Sequence, residues 1–166
     1  MKHIKIFESD DRKQIVIKAP EELNTDSLPG VFLAGSIEMG KAEDWQKKVT
    51  SLMSNEAVAI FNPRRDDWDS SWEQKIENEK FAEQVNWELN AMERASVIVM
   101  YLSPETQSPI SLLELGLHAA SGKLLVCCPE GFWRKGNVDV VCAKYGVPTF
   151  NTIEELVGAA IVKLKV

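Results

Sequence analysis

The chain has 166 residues, enough for one domain with a sizeable core. Its 45% hydrophobic and 27% charged residues are globular proportions, and no apolar run approaches the roughly 18 residues of a membrane span. A net charge of -6 argues against a nucleic-acid polymer as partner but leaves room for a small anionic ligand held by local cations. The three cysteines, Cys127, Cys128 and Cys142, lack CxxC spacing, and His3 and His118 lie far apart. No metal is expected, and the composition reads as that of a reduced cytoplasmic protein. The alternating N-terminus does not read as a signal peptide.

Residues 2–18 read as a β-hairpin, because Ile4, Ile6, Ile15 and Ile17 alternate with polar residues around Glu8-Ser9-Asp10-Asp11. A polar connection, 19–29, completes this N-terminal extension. Val31–Ala34 is a short apolar strand ending at Gly35-Ser36. A helix is expected over 42–55, with Trp45, Val49 and Leu52 on one stripe. Ala57–Phe61 is the next strand and stops at Asn62-Pro63. A charged, tryptophan-bearing loop covers 64–78, and a helix covers 76–95. Val97–Leu102, Leu124–Cys128 and Val147–Phe150 are further strands, and the last helix begins near Thr152, three residues before Glu155 in capping-box spacing. Strands alternating with helices predict an α/β fold: a parallel sheet with helices on both faces, in one domain over 1–166.

Chemistry concentrates after the strands. Ser111–Lys123 forms a mostly apolar helix with one carboxylate, Glu114, in its first turn. Ser111-x-x-Glu114 is also a capping-box pattern, so the residue reads either as a helix cap or as a group at the mouth of the sheet. Gly35 and Ser36 suit a backbone that a ligand approaches, or a plain tight turn. Asn62-Pro63-Arg64-Arg65-Asp66-Asp67-Trp68-Asp69 holds guanidinium groups able to pair with phosphate or with the neighbouring aspartates, and Trp68 and Trp72 can stack on a base. Glu83, Trp87, Glu88 and Asn90 fit an exposed amphipathic face. Glu105 lies in the loop after the third core strand, and His118 shares a helix face with Glu114. Trp133–Asn137 reads as a loop, with a lid over the same edge as its functional alternative.

Taken together, Val31-Phe32-Leu33-Ala34-Gly35-Ser36, Phe61-Asn62-Pro63-Arg64-Arg65-Asp66, the strand before Leu102, and Leu113-Glu114-Leu115-Gly116 through Gly122-Lys123 resemble the nucleoside 2-deoxyribosyltransferase family. The resemblance implies a flavodoxin-like fold and Glu114 as the nucleophile that opens the N-glycosidic bond of a nucleoside and holds the sugar as an ester. It implies contacts to a base from Asp66, Asp67 or Asp69, no metal or organic cofactor, and a homo-oligomer in which a neighbouring subunit often completes the site. Where the family usually carries aspartates, this chain reads Ser103-Pro104-Glu105-Thr106-Gln107-Ser108-Pro109-Ile110-Ser111. Related hydrolases of nucleoside 5′-monophosphates place hydroxyl residues here, and Ser108 and Ser111 fit that pattern, helped by Ser36 or an arginine. The readings carried forward are therefore glycosyl transfer or cleavage, monophosphate hydrolysis, and a nucleotide-binding module without turnover. A flavin domain is disfavoured, because Ser36-Ile37-Glu38-Met39-Gly40 is too apolar and acidic for a flavin-phosphate loop.

Overall fold

The chain alternates strand and helix almost without interruption in a computed structural model that describes residues 13–37 and 43–166. In chain order the elements are β1 (Ile15–Lys18), β2 (Gly30–Gly35), α1 (Trp45–Leu52), β3 (Ala59–Asn62), α2 (Glu79–Arg94), β4 (Val97–Tyr101), α3 (Pro109–His118), β5 (Leu124–Cys127), α4 (Lys135–Tyr145), β6 (Thr149–Phe150) and α5 (Ile153–Leu164). The strands form a six-stranded sheet in the order β1-β3-β2-β4-β5-β6, and every pairing is parallel. Without β1, that order is the flavodoxin-like one, in which chain direction across the sheet reverses between β2 and β4.

Period-two alternation assigns each strand residue to one of two cores. Phe32, Ala34, Phe61, Ile98, Met100, Leu124 and Val126 face the layer of α2, α3 and α4. Val31, Leu33, Ile60, Val97, Val99, Leu125 and Cys127 face the layer of α1 and α5. Cys127 and its neighbour Cys128 accordingly enter opposite cores. Burial on both sides explains why these strands read as unbroken apolar runs.

Two elements differ from the sequence expectation. The second arm of the expected hairpin is β1, but its described partner is β3, in parallel register from Ile15 opposite Ala59 to Lys18 opposite Asn62. The first arm lies outside the described residues. The segment from Trp133 to Asn137 is not a loop throughout, since α4 begins at Lys135. Val138, Val140 and Val141 give α4 a strand-like composition, and only Val138 and Cys142, one turn apart, are fully buried. It is a helix because those two residues bury against the sheet and Gly146, at φ 66°, closes it in a left-handed C-terminal turn.

At the reversal point β2 and β4 approach closely. Gly35 has φ 133°, and a Cβ there would lie 2.1 Å from the Tyr101 carbonyl oxygen. Gly35→Ala is expected to cost about 2–4 kcal/mol through backbone strain and steric overlap. The check is urea unfolding beside Gly116→Ala, whose added methyl meets nothing within 4 Å and which helix propensity should stabilise by up to ~1 kcal/mol.

Candidate active site

The carboxyl edge beside the β2/β4 reversal is built first by hydroxyls. The Ser36 amide donates to Tyr101 O at 3.0 Å, and Trp45 Nε1 donates to Ser36 O at 2.8 Å, so this residue is held from both sides. Its Oγ accepts the Ser103 amide at 2.9 Å. The same oxygen lies 2.7 Å from both Thr106 Oγ1 and Ser108 Oγ, and those two are 2.7 Å from each other. Thr106 Oγ1 donates to Ser103 O at 2.9 Å. All three hydroxyl residues are buried. One proton thus goes to a carbonyl, and the triangle offers acceptors for the protons of Ser36 and Ser108.

Helix α3 begins at Pro109, whose fixed φ and absent N–H suit a first helical position. Ser108 precedes it in the left-handed region at φ 48°. The helix therefore starts earlier than the sequence pattern suggested. Ser111 lies inside its first turn rather than at the cap, and Glu114 falls in the second turn. The capping box is not formed: among the described residues the Glu114 carboxylate has no hydrogen-bond partner. A capping box does form where the spacing Thr152-x-x-Glu155 predicted one.

Glu114 is 8% exposed. Burial raises its pKa from the ordinary 4.5 to about 8, and the charge of Glu88 adds to the rise. Glu88 comes from α2 and is itself raised to about 7 by burial, against a lowering by the Gln84 amide. Gln84 Nε2 donates to Glu88 Oε1 at 2.7 Å and to Pro63 O at 2.9 Å. Two carboxyls thus interact in a weakly solvated setting. The sequence placed Glu88 on an exposed face, and Gln84 and Thr106 were not singled out at all. Only the i, i+4 spacing of Gln84 and Glu88 hinted at a pair.

The loop after β3 is largely engaged with itself. Asn62 is buried, and its Oδ1 accepts the Arg64 amide at 3.0 Å, turning the chain out of the sheet. Arg65, with a side chain only 2% exposed, grips Asp67 through two bonds of 2.9 and 3.1 Å and reaches Glu83 at 3.3 Å. That pairing raises the Arg65 pKa and lowers that of Asp67. The guanidinium lies 5.2 Å over the ring of Trp72, which meets Trp68 edge-on at 5.1 Å. Asp66 points to Lys18 on β1, 2.9 Å away. Arg64 is held more loosely, 3.5 Å from Gln46 Oε1 and 3.7 Å from Asp44. Glu105 is exposed in the turn after β4. His118 is half-buried, and burial and Lys123 lower its pKa. Thus Ser36 and Ser108 come together, whereas Arg65, Asp66 and Asp67 find partners within the protein.

Among the described residues no group of His, Cys, Asp and Glu is arranged to hold a metal ion, and no helix is long and apolar enough to cross a membrane. The sequence profile described as nucleoside 2-deoxyribosyltransferase like matches residues 29–132. The chain belongs to that family. No curated protein matches the chain. The family match runs from the start of β2 to the turn before α4, so it contains the hydroxyl triangle, Glu88 and Glu114.

A carboxyl with a raised pKa binds its proton more tightly in the folded state. Its stabilising contribution is full below about 4.5 and is lost as pH rises through the folded value. For Glu88 and Glu114 that window runs from about 4.5 to about 8. Denaturant midpoints should therefore fall across it. Glu114→Gln should flatten the slope and gain on the order of 2–4 kcal/mol at pH 8.

Proposed function

We propose that this member of the nucleoside 2-deoxyribosyltransferase-like family cleaves or transfers the N-glycosidic bond of a nucleoside, with Glu114 as nucleophile. The observation that carries the reading is the pair Glu88 and Glu114, one carboxyl half-buried on α2 and the other buried on α3, close enough for their charges to repel. With values of about 7 and about 8, the pair retains a proton near neutrality. The higher value belongs to Glu114, so the retained proton rests there, and the reactive form is the one in which that proton sits on Glu88 and Glu114 is ionised. That form supplies one carboxylate and one acid, the complement needed for displacement at an anomeric carbon.

In the proposed step a Glu114 oxygen attacks C1′ and the C1′–N bond breaks. The bonding electrons leave with the base, whose nitrogen is protonated by Glu88 directly or through water. The sugar remains as an ester on Glu114. Water or a second base then attacks C1′ while Glu88, ionised by the first step, takes its proton; the ester bond breaks and the Glu114 carboxylate is regenerated. Positive charge develops on the sugar ring in both transition states, where an ionised Glu114 stabilises it.

The hydroxyl triangle bears on substrate choice. Ser36, Thr106 and Ser108 can satisfy their hydroxyl protons with one another and with Ser103 O, which favours an uncharged sugar terminus over a phosphate. The second reading, hydrolysis of a 5′-monophosphate, draws on Arg64 and its long contacts of 3.5 and 3.7 Å. A homo-oligomer belongs to the same proposal. The exposed row Ile110, Leu113 and Leu117 on α3 supports it.

The deciding experiment is chromatography of free bases after incubation with nucleosides and 5′-monophosphates, with and without a second base. New nucleosides formed only with the second base are the expected transferase result, and free base alone marks a hydrolase. Glu114→Ala should lower either activity by about 10³-fold or more, and Glu88→Gln by about 10²–10⁴-fold. Intact ligand binding with no turnover on any substrate would leave a binding module and overturn the catalytic proposal.

A further inference from the structure

The Gln84 carboxamide has an orientation that is settled by its surroundings. Gln84 sits on α2 one turn before Glu88 and is 5% exposed. Its Nε2 is 2.9 Å from Pro63 O, an atom that can only accept. An inverted amide would set two oxygens against each other at that distance, so the nitrogen must face Pro63. Its second proton then reaches Glu88 Oε1 at 2.7 Å, and the Gln84 oxygen is left buried with no partner among the described residues. An amide left with an unsatisfied oxygen is unfavourable, and this one persists because its two N–H bonds hold it there.

We infer that Gln84 is a positioning residue: it ties Glu88 to the loop after β3 and reserves Oε1 of that carboxyl as an acceptor, so that the exchangeable proton is carried on Oε2. The inference deepens the glycosyl-transfer reading and rests on it for its catalytic meaning. A carboxyl free to rotate offers its proton from either oxygen in several directions. One oxygen pinned by a donor limits the proton to the other, which fixes the direction of delivery. Gln84 also favours the ionised form of Glu88, opposing the effect of burial. The titratable group acting on this pair from α3 is Glu114, and the contact from the loop after β3 is the uncharged Pro63 carbonyl.

The test is a pH titration of the glutamate side-chain carboxyl carbons by nuclear magnetic resonance, with Glu88 assigned by its loss in Glu88→Gln. The variant is Gln84→Met, which keeps the length of the side chain and removes its hydrogen bonds. The Glu88 titration should move upward by several tenths of a unit or more. The pH profile of kcat should move with it, while kcat falls about 10-fold and KM stays within about twofold. If Gln84→Met does not fold, Gln84→Asn, too short to span both partners, should show the same direction of shift. An unmoved Glu88 titration in a folded variant overturns the inference, even if activity or thermal stability falls. The titration needs no turnover. A shifted Glu88 in a protein that releases no base therefore upholds the positioning of Glu88 while removing the enzymatic reading.

Discussion

Between Gly35 and Tyr101 the two central strands pass so close that one methyl group would overlap a carbonyl oxygen. The site depends on that contact. It lets the Ser36 amide bond to the end of β4 and brings Ser36 Oγ under the Ser103 amide. Thr106 and Ser108 then close on the same oxygen, and the chain leaves that cluster directly into α3. The position of Glu114 is therefore linked, through a short series of hydrogen bonds, to a place where the sheet tolerates no side chain. Open α/β sheets form their crevice where strand order reverses, and here the two loops at the crevice are joined by hydroxyls.

The second constraint is electrostatic. Burying a carboxyl without a cation is unfavourable, and the usual response of a protein is to pair it or keep it protonated. Arg65 is the nearly fully buried cation of the loop after β3, yet it is bound by Asp67 and Glu83 rather than by either raised carboxyl. The arginine makes the loop rigid, and the two acids keep their protons toward neutrality. Two continuous apolar cores support this arrangement, including Trp45, Phe32, Phe61 and Leu156, all essentially inaccessible to water.

Much of the fold was legible because the strands are buried on both faces. Val31–Ala34 and Val97–Leu102 are continuous apolar runs that have few other interpretations. Helix α4 was not legible, because its valines favour strands and only Val138 and Cys142 are fully buried, with Val141 partly so. At the site, Ser36 and Ser108 could be named from their place after strands. Thr106 gained meaning only when residues 70 apart came within hydrogen-bond distance. Glu88 was hidden for a related reason: it sits among Glu83, Asn90 and Glu93 on a polar helix, and only its electrostatic interaction with Glu114 on α3 separates it from them. Arg65 misled in the opposite sense, because a short-range contact with Asp67 satisfies a group that composition offered to a ligand.

The far side of the sheet ends in β6, a strand of only two residues joined to β5 through Val126 and Cys127. A neighbouring chain adding a strand at that border would find almost no ladder to extend. Assembly by sheet continuation is thus blocked at that border by brevity alone. A copy of the protein that approaches this border must instead meet it through side chains rather than backbone groups. The architecture thereby favours discrete assemblies over open-ended growth along that edge.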